Sequence, residues 1–242
     1  MGSTSEEDVI MEINGLMGSF YKISVLITRF TFTNLIWLFL NFPIVYIMLS
    51  LMVNDMTHMS LQLLPFAILL PLLFFPATCA MFAVVRRWIL GEGDVRIFQA
   101  FLKYYKENYK QSVKGGFIFG FLWLSLFLNY FVFFYQQSMI FTYMFIGLAA
   151  FLFTWNTYFF SMIVHFEMKL LPSLKSSLLV TIGNPISSAG VAIINGILIV
   201  LSLKFTFIIA FFLGSLSVYC SFFYFYKVIK KTMRKISTVN MA

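Results

Sequence analysis

Six stretches of roughly twenty apolar residues, at positions 34–53, 61–85, 115–135, 139–164, 185–203 and 205–226, constrain this chain more than any other feature. A helix needs about 20 such residues to cross a ~30 Å hydrocarbon layer. With 61% hydrophobic and only 11% charged residues, against the ~25% charge of soluble domains, the solvent that these stretches require is lipid. The sequence therefore predicts an all-α polytopic membrane protein of six transmembrane helices. It also predicts an N-terminal amphipathic segment over 1–33, a six-helix membrane domain over 34–226 and a basic tail over 227–242.

The basic residues orient the chain. With the N-terminus inside, Lys22, Arg29, the seven cations from Arg86 to Lys114, Lys169, Lys175 and the five of the tail all fall on the inner side, and Lys204 alone falls outside. Cytoplasmic loops carry such an excess of Lys and Arg, so both termini are expected in the cytoplasm. The first residues are acidic at Glu6, Glu7, Asp8 and Glu12 and have no basic n-region, so no cleaved signal peptide is expected.

Three amphipathic stretches flank the spans. Apolar residues recur at three and four residue steps over 9–27, the stripe of a helix lying on the inner surface. Over 96–114, Arg96, Lys103, Lys106, Lys110 and Lys114 fall in one ~80° sector at 100° per residue, opposite Phe98, Phe101, Leu102, Tyr105 and Tyr109. This pattern predicts an interfacial helix with aromatics toward lipid and lysines toward anionic headgroups. A weaker stretch over 165–182 reads the same way. Gly91-Glu92-Gly93-Asp94 reads as a turn with Asp94 as the following N-cap, and Gly183-Asn184-Pro185 reads as a break. Pro43, Pro65, Pro71 and Pro76 are expected to interrupt the first two spans, because proline lacks the backbone donor, and a pocket forms most readily at such breaks.

The chemistry of an enzyme is missing from these patterns. No span carries an acid or histidine near its centre, where proton relays are built. Cys79 and Cys220 sit in apolar runs and read as packing residues; His165 and Glu167 read as an interfacial polar pair, and His58 as an exposed loop residue. No metal, cofactor or nucleic-acid motif is present. Asn41, Asn129, Asn156, Asn195, Thr78 and Thr154 are expected to bond neighbouring helices, with Asn41 beside Pro43 a candidate for a polar cavity. Ser188, Ala192 and Gly196, and Ala210 and Gly214, form small-residue stripes suited to close helix packing or to a partner helix.

One ordered set of landmarks resembles a known family. Pro76-Ala77-Thr78-Cys79, Arg86-Arg87-Trp88, Gly91-Glu92, the run 95–101 and Lys106-Glu107-Asn108-Tyr109-Lys110-Gln111-Ser112 are similar to the central signature of the YesL-like proteins, the domain of unknown function numbered 624. The stretch 34–43 resembles that family's asparagine-to-proline first span and 174–185 its basic turn ending in Asn184-Pro185, although Pro43 and Pro76 are further apart here than in the compact form. The resemblance implies a bacterial plasma-membrane protein associated with sugar ABC transporter subunits. It supplies no catalytic residues. The expectation is a non-catalytic accessory or regulatory component of carbohydrate uptake; the alternatives are a facilitator acting alone, with proline-broken helices around a solute path, and, third, a membrane enzyme. Arg86, Arg87 and Asn108 are the inner-surface residues singled out by the pattern, and Lys103, Lys106 and Lys110 are candidates either to anchor on anionic lipid or to dock a partner.

Overall fold

A computed structural model describes residues 6–53, 56–92, 96–134, 139–166 and 168–239, and among them every regular element is helical. The helices make six passes. The first is α1 (Glu6–Leu40) followed by α2 (Phe42–Val53). The second runs through α3 (Met56–Leu69), a π segment (Leu70–Phe74) and α4 (Phe75–Ile89), and the third is α5 (Ile97–Phe134). Then come α6 (Met139–Phe166), the pair α7 (Leu170–Gly183) and α8 (Pro185–Lys204), and the pair α9 (Phe207–Phe211) and α10 (Leu213–Val239).

Side-chain pairings fix the directions. Trp37 meets Thr78 while Ser50 meets Gln62, so passes one and two are antiparallel. Arg87 meets Tyr104, and Gly116 lies against Pro71, which sets pass three against pass two. Phe119 packs on Trp155 and Tyr130 on Phe145; Asn195 bonds Ser221 while Gly190 abuts Tyr224. Phe30 touches both Trp88 and Tyr219. Alternation around the bundle therefore brings Arg29, Arg86, Arg87, the start of α5, His165 and the basic half of α10 to one end, with Lys204 at the other.

Five stretches are each long and apolar enough to cross a membrane: Ile23–Leu40, Leu61–Ile89, Ile97–Tyr130, Met139–Phe166 and Pro185–Lys204. Their outward faces are strongly apolar, with Phe121, Phe127, Ile140, Ile193 and Val200 all exposed, a surface that only an apolar solvent accommodates. The chain is thus an all-α polytopic membrane protein. The sixth predicted span is divided at Phe212, whose φ of −135° and ψ of −31° separate α9 from α10, so it does not form one spanning helix.

Three further boundaries differ from the sequence-based expectation. The amphipathic stretch over 9–27 is not a separate surface helix but the first part of α1, which continues unbroken to Leu40. The basic stretch over 96–114 and the third span are likewise one 38-residue helix. On its aromatic side Phe101 is fully buried and Tyr105 packs against the core, whereas Phe98 is exposed. The stretch after α6 folds back along it as α7: the indole Nε1 of Trp155 donates to Leu174 O at 3.3 Å and to Ser177 Oγ at 3.1 Å. The expected N-cap Asp94, with Gly93, and Glu167 lie outside the described residues.

The prolines do not break pass two. The chain stays helical through Pro65, Pro71 and Pro76, and the Phe75 amide reaches back to Leu70 O across a widened π turn. Proline lacks an N–H, and its ring crowds the carbonyl four residues earlier; a π turn gives that crowding room. Pass one does bend. At Asn41 the amide donates to Trp37 O and Leu38 O at 3.1 and 3.2 Å, and the helix resumes with Val45 N donating to Asn41 O at 3.0 Å. The break before Pro185 is also present, with Asn184 at φ −131° and ψ 66°, and Ser188 Oγ donates across it to Thr181 O at 2.9 Å.

Rings fill the middle of the bundle. Phe75, Phe82, Phe119, Phe159 and Phe160 are all buried, with centroid separations such as 5.4 Å for Phe75 with Phe160 and 5.2 Å for Phe119 with Phe159. Lipid tails are as apolar as these rings, so cohesion comes from close packing and interhelical hydrogen bonds rather than from the hydrophobic effect. Gly115 and Gly116 allow that packing: a Cβ on Gly115 would lie 2.3 Å from Phe159, and one on Gly116 2.9 Å from the Pro71 backbone.

Candidate functional site

The turn between α4 and α5 is built by a specific cap. Gly91 has φ +81°, a left-handed conformation that costs other residues a Cβ clash. Its amide donates to Trp88 O at 3.2 Å, and the Glu92 amide donates to Arg87 O at 2.9 Å, the paired bonds of a Schellman cap. The cap returns the Glu92 carboxylate to its own helix, where it accepts from Arg87 Nε at 2.9 Å.

A second layer fixes the first turns of α5 beneath this cap. Arg87 Nη1 donates to the Tyr104 hydroxyl at 3.5 Å. Asn108 Nδ2 donates to Tyr104 O at 3.1 Å, and the fully buried Ser112 donates through Oγ to Asn108 O at 2.8 Å. Tyr104, Asn108 and Ser112 follow one another at four-residue steps, so a single polar line on α5 faces its neighbours. Around the helix, Arg96, Lys103, Lys106, Lys110 and Lys114 are exposed. Among the described residues, Lys103 alone of these has a nearby acid, Glu107 at 3.8 Å, an exposed pair worth little.

Arg86 stands differently from Arg87. It is half-buried, forms no side-chain hydrogen bond or ion pair with another described residue, and its Nε is buried without a partner. His165, on α6, likewise has a buried and unpartnered Nδ1. Its ring sits edge-on among Phe166, Phe222, Phe225 and Tyr226.

The remaining predicted site residues are dispersed. Asn41 is fully buried, donating to Trp37 O at 2.8 Å, with its Oδ1 unpartnered; it supports the bend in pass one. Pro43 is exposed and Pro76 buried in the first turn of α4. Asn184 and Pro185 form the α7–α8 break and lie far along the chain from the α4–α5 turn. Among the small residues, Gly214 touches Asn34, whereas Gly196 has open space beside it. Among the described residues no three His, Cys, Asp or Glu side chains come together as a metal site.

The residues of the α4–α5 cap and of the polar line on α5 lie in one continuous segment. A family model described as "Protein of unknown function, DUF624" matches residues 30–130. Over this stretch the chain resembles the DUF624 family. The DUF624 segment begins at Phe30, which packs on Trp88, and ends in α5, so it contains the whole Arg87–Glu92–Tyr104–Asn108 arrangement. Two curated relatives come from Bacillus subtilis (strain 168). The uncharacterized protein YteU is 33% identical over 99 residues, covering 41% of this chain and 34% of its own length. The uncharacterized protein YesV is 50% identical over 34 residues, 14% of this chain and 16% of its own. The chain thus matches about a third or less of the length of either relative, and no solved structure matches it. His165, Asn184 and Pro185 fall beyond the DUF624 segment.

Sequence reasoning singled out Arg86, Arg87 and Asn108; Tyr104 was not among its landmarks, and Ser112 and Asn34 were landmarks without an assigned role. The signal for Tyr104 and Ser112 was the four-residue spacing of polar residues running to Ser112. For Asn34 the only signal was its place at the head of the family-like first span; its partners lie about 175 residues away.

Proposed function

We propose that this chain is a non-catalytic accessory component of a membrane assembly, docking a partner through the exposed basic face at the start of α5. The observation that carries this reading is the division of labour on that helix. Its inner line, Phe101, Tyr104, Asn108 and Ser112, is bonded or packed into the bundle, which holds the outer line of Arg96, Lys103, Lys106, Lys110 and Lys114 in one fixed array. A preorganised array of cations suits an acidic partner surface, and such complementarity speeds and orients docking. The resemblance to YesL-like proteins supports carbohydrate uptake as the process and sugar ABC transporter subunits as the partner, in the plasma membrane with both termini cytoplasmic.

The filled centre weighs against a facilitator. Phe75, Phe119, Phe159 and Phe160 are buried together beside the π segment, where proline-broken helices would have to leave a solute path. An affinity purification in mild detergent, from the native host grown on complex carbohydrates, tests the reading. Permease subunits should co-purify stoichiometrically with the wild-type chain and be lost with the triple substitution K103E/K106E/K110E. Recovery of the chain alone, with solute flux in proteoliposomes, would instead favour the facilitator.

A further inference from the structure

In hydrocarbon an amide group has no water to bond, so one left without a protein partner is costly. Asn129 is in that position. It lies in the apolar stretch Ile97–Tyr130, about 22 Å along α5 from Lys114 and about 7.5 Å short of the helix end at Phe134. A ~30 Å hydrocarbon layer that starts at Lys114, the last cation of α5, encloses it. The side chain is exposed, and among the described residues its only hydrogen bond stays within its own helix, from Nδ2 to Ser125 O at 2.7 Å. The second N–H and Oδ1 are left without a partner among those residues.

The face that carries Asn129 suits another helix. At 100° per residue, Phe121, Ser125, Leu128, Asn129 and Val132 share a sector of about 100°. Ile118, Phe121, Ser125, Leu128 and Val132 recur at steps of three and four, the spacing of a left-handed helix pair, with a small residue in the middle. Phe121, Leu128 and Val132 are exposed. The opposite side of α5 is occupied inside the bundle, where Leu122, Trp123 and Leu126 pack against the core and Tyr130 against Phe145.

We infer that this face of α5 docks a second copy of the chain, with Asn129 of each copy hydrogen-bonded to Asn129 of the other. The membrane favours that occupant. Two copies inserted with the same topology pair about an axis along the membrane normal, so a residue and its twin meet at the same depth. A carboxamide offers both donor and acceptor, so the remaining N–H of one copy donates to Oδ1 of the other, and the symmetric bond completes the pair. A different protein has to bring a polar group to that depth by its own sequence. The face lies at the end of α5 remote from its lysines and does not depend on the docking proposed for them.

The test is disulfide trapping in proteoliposomes at low protein-to-lipid ratio, with Cys79 and Cys220 replaced, one cysteine introduced and copper phenanthroline as oxidant. V132C and L128C should each give a covalent homodimer, whereas I193C, exposed on α8, should not. Adding N129L to V132C should lower the association constant, read from the dilution at which half the dimer is lost, by on the order of tenfold. N129Q, which keeps the carboxamide, should retain most of it, and K103E/K106E/K110E should leave the yield unchanged. No dimer at either position, an equal yield from I193C, a yield indifferent to N129L, or one lowered by the lysine triple would each overturn the inference. So would oxidation of the V132C chain in native-host membranes that traps a different protein in place of the homodimer. Should N129L fail to fold, S125L serves: it crowds the stripe and leaves the core side of α5 untouched, and a homodimer that persists in it counts equally against the inference.

Discussion

Asn34 Oδ1 lies 2.9 Å from the amide nitrogen of Gly214, so the first pass holds one side of the break in the last. The same oxygen accepts from Ser215 N at 3.2 Å, and Nδ2 donates to Ile209 O and Ala210 O at 3.1 and 2.7 Å on the other side of the break. One buried amide therefore serves the backbone groups freed where α9 gives way to α10. In an apolar solvent such groups have no water to turn to.

Replacing Asn34 with leucine should accordingly be among the most damaging single changes in the chain. It leaves four backbone groups without this partner, and each unsatisfied buried group costs about 1–3 kcal/mol. Thermal unfolding of detergent-solubilised N34L should show a large loss of Tm, while N129L, whose Asn129 is exposed and among the described residues bonds its own helix through Ser125 O, should lie close to wild type.

How far the fold was legible follows from such contacts. The helical, membrane-spanning character of five apolar stretches and the break at Asn184-Pro185 could be read because their causes are local: run length, proline and a preceding glycine. The break at Phe212 could not, since Phe211-Phe212-Leu213 contains no helix breaker and the stabilising amide comes from Asn34. The unity of α5 was hidden for a related reason. A helix with lysines on one side and aromatics on the other looks the same whether Phe101 meets lipid or protein, and only the partner helices decide it. Proline misled in the opposite direction at Pro71, where a widened turn absorbed it. In the candidate site, Gly91-Glu92 was recognisable as a turn, but its salt bridge to Arg87 depends on cap geometry that sequence alone does not give.

The glycines of α5 and α8 make a paired prediction. Gly116→Ala places a methyl group against the Pro71 backbone, and overpacking of this kind costs about 1–3 kcal/mol. Gly196→Ala meets open space and should be neutral or stabilising by up to about 1 kcal/mol through helix propensity. Denaturation midpoints of the two variants, measured side by side, check the contrast.

At the α4–α5 cap, Gly91→Ala forces a Cβ into φ +81° and should cost about 1–2 kcal/mol. Glu92→Gln removes an ion pair whose side chains are 29% and 46% exposed, so solvent screening limits its loss to under about 1 kcal/mol. Its effect should shrink further at high salt, which the Gly91→Ala effect should not.

Orientation can be read by labelling. In a background with Cys79 and Cys220 replaced, Lys106→Cys should react with a membrane-impermeant maleimide only from the cytoplasmic side, and Lys204→Cys only from the outer side. The reverse pattern in sealed cells would invert the topology and remove the cytoplasmic docking face.

The measurement closest to the centre of this account is the distance between spin labels at positions 103 and 127 of α5, by pulsed dipolar spectroscopy in nanodiscs. An unbroken helix rising 1.5 Å per residue places their backbones about 36 Å apart. A basic arm folded at right angles onto the membrane surface near Gly115 would bring them to about 25 Å, and a distribution centred there would contradict the single rigid helix on which the proposed docking face depends.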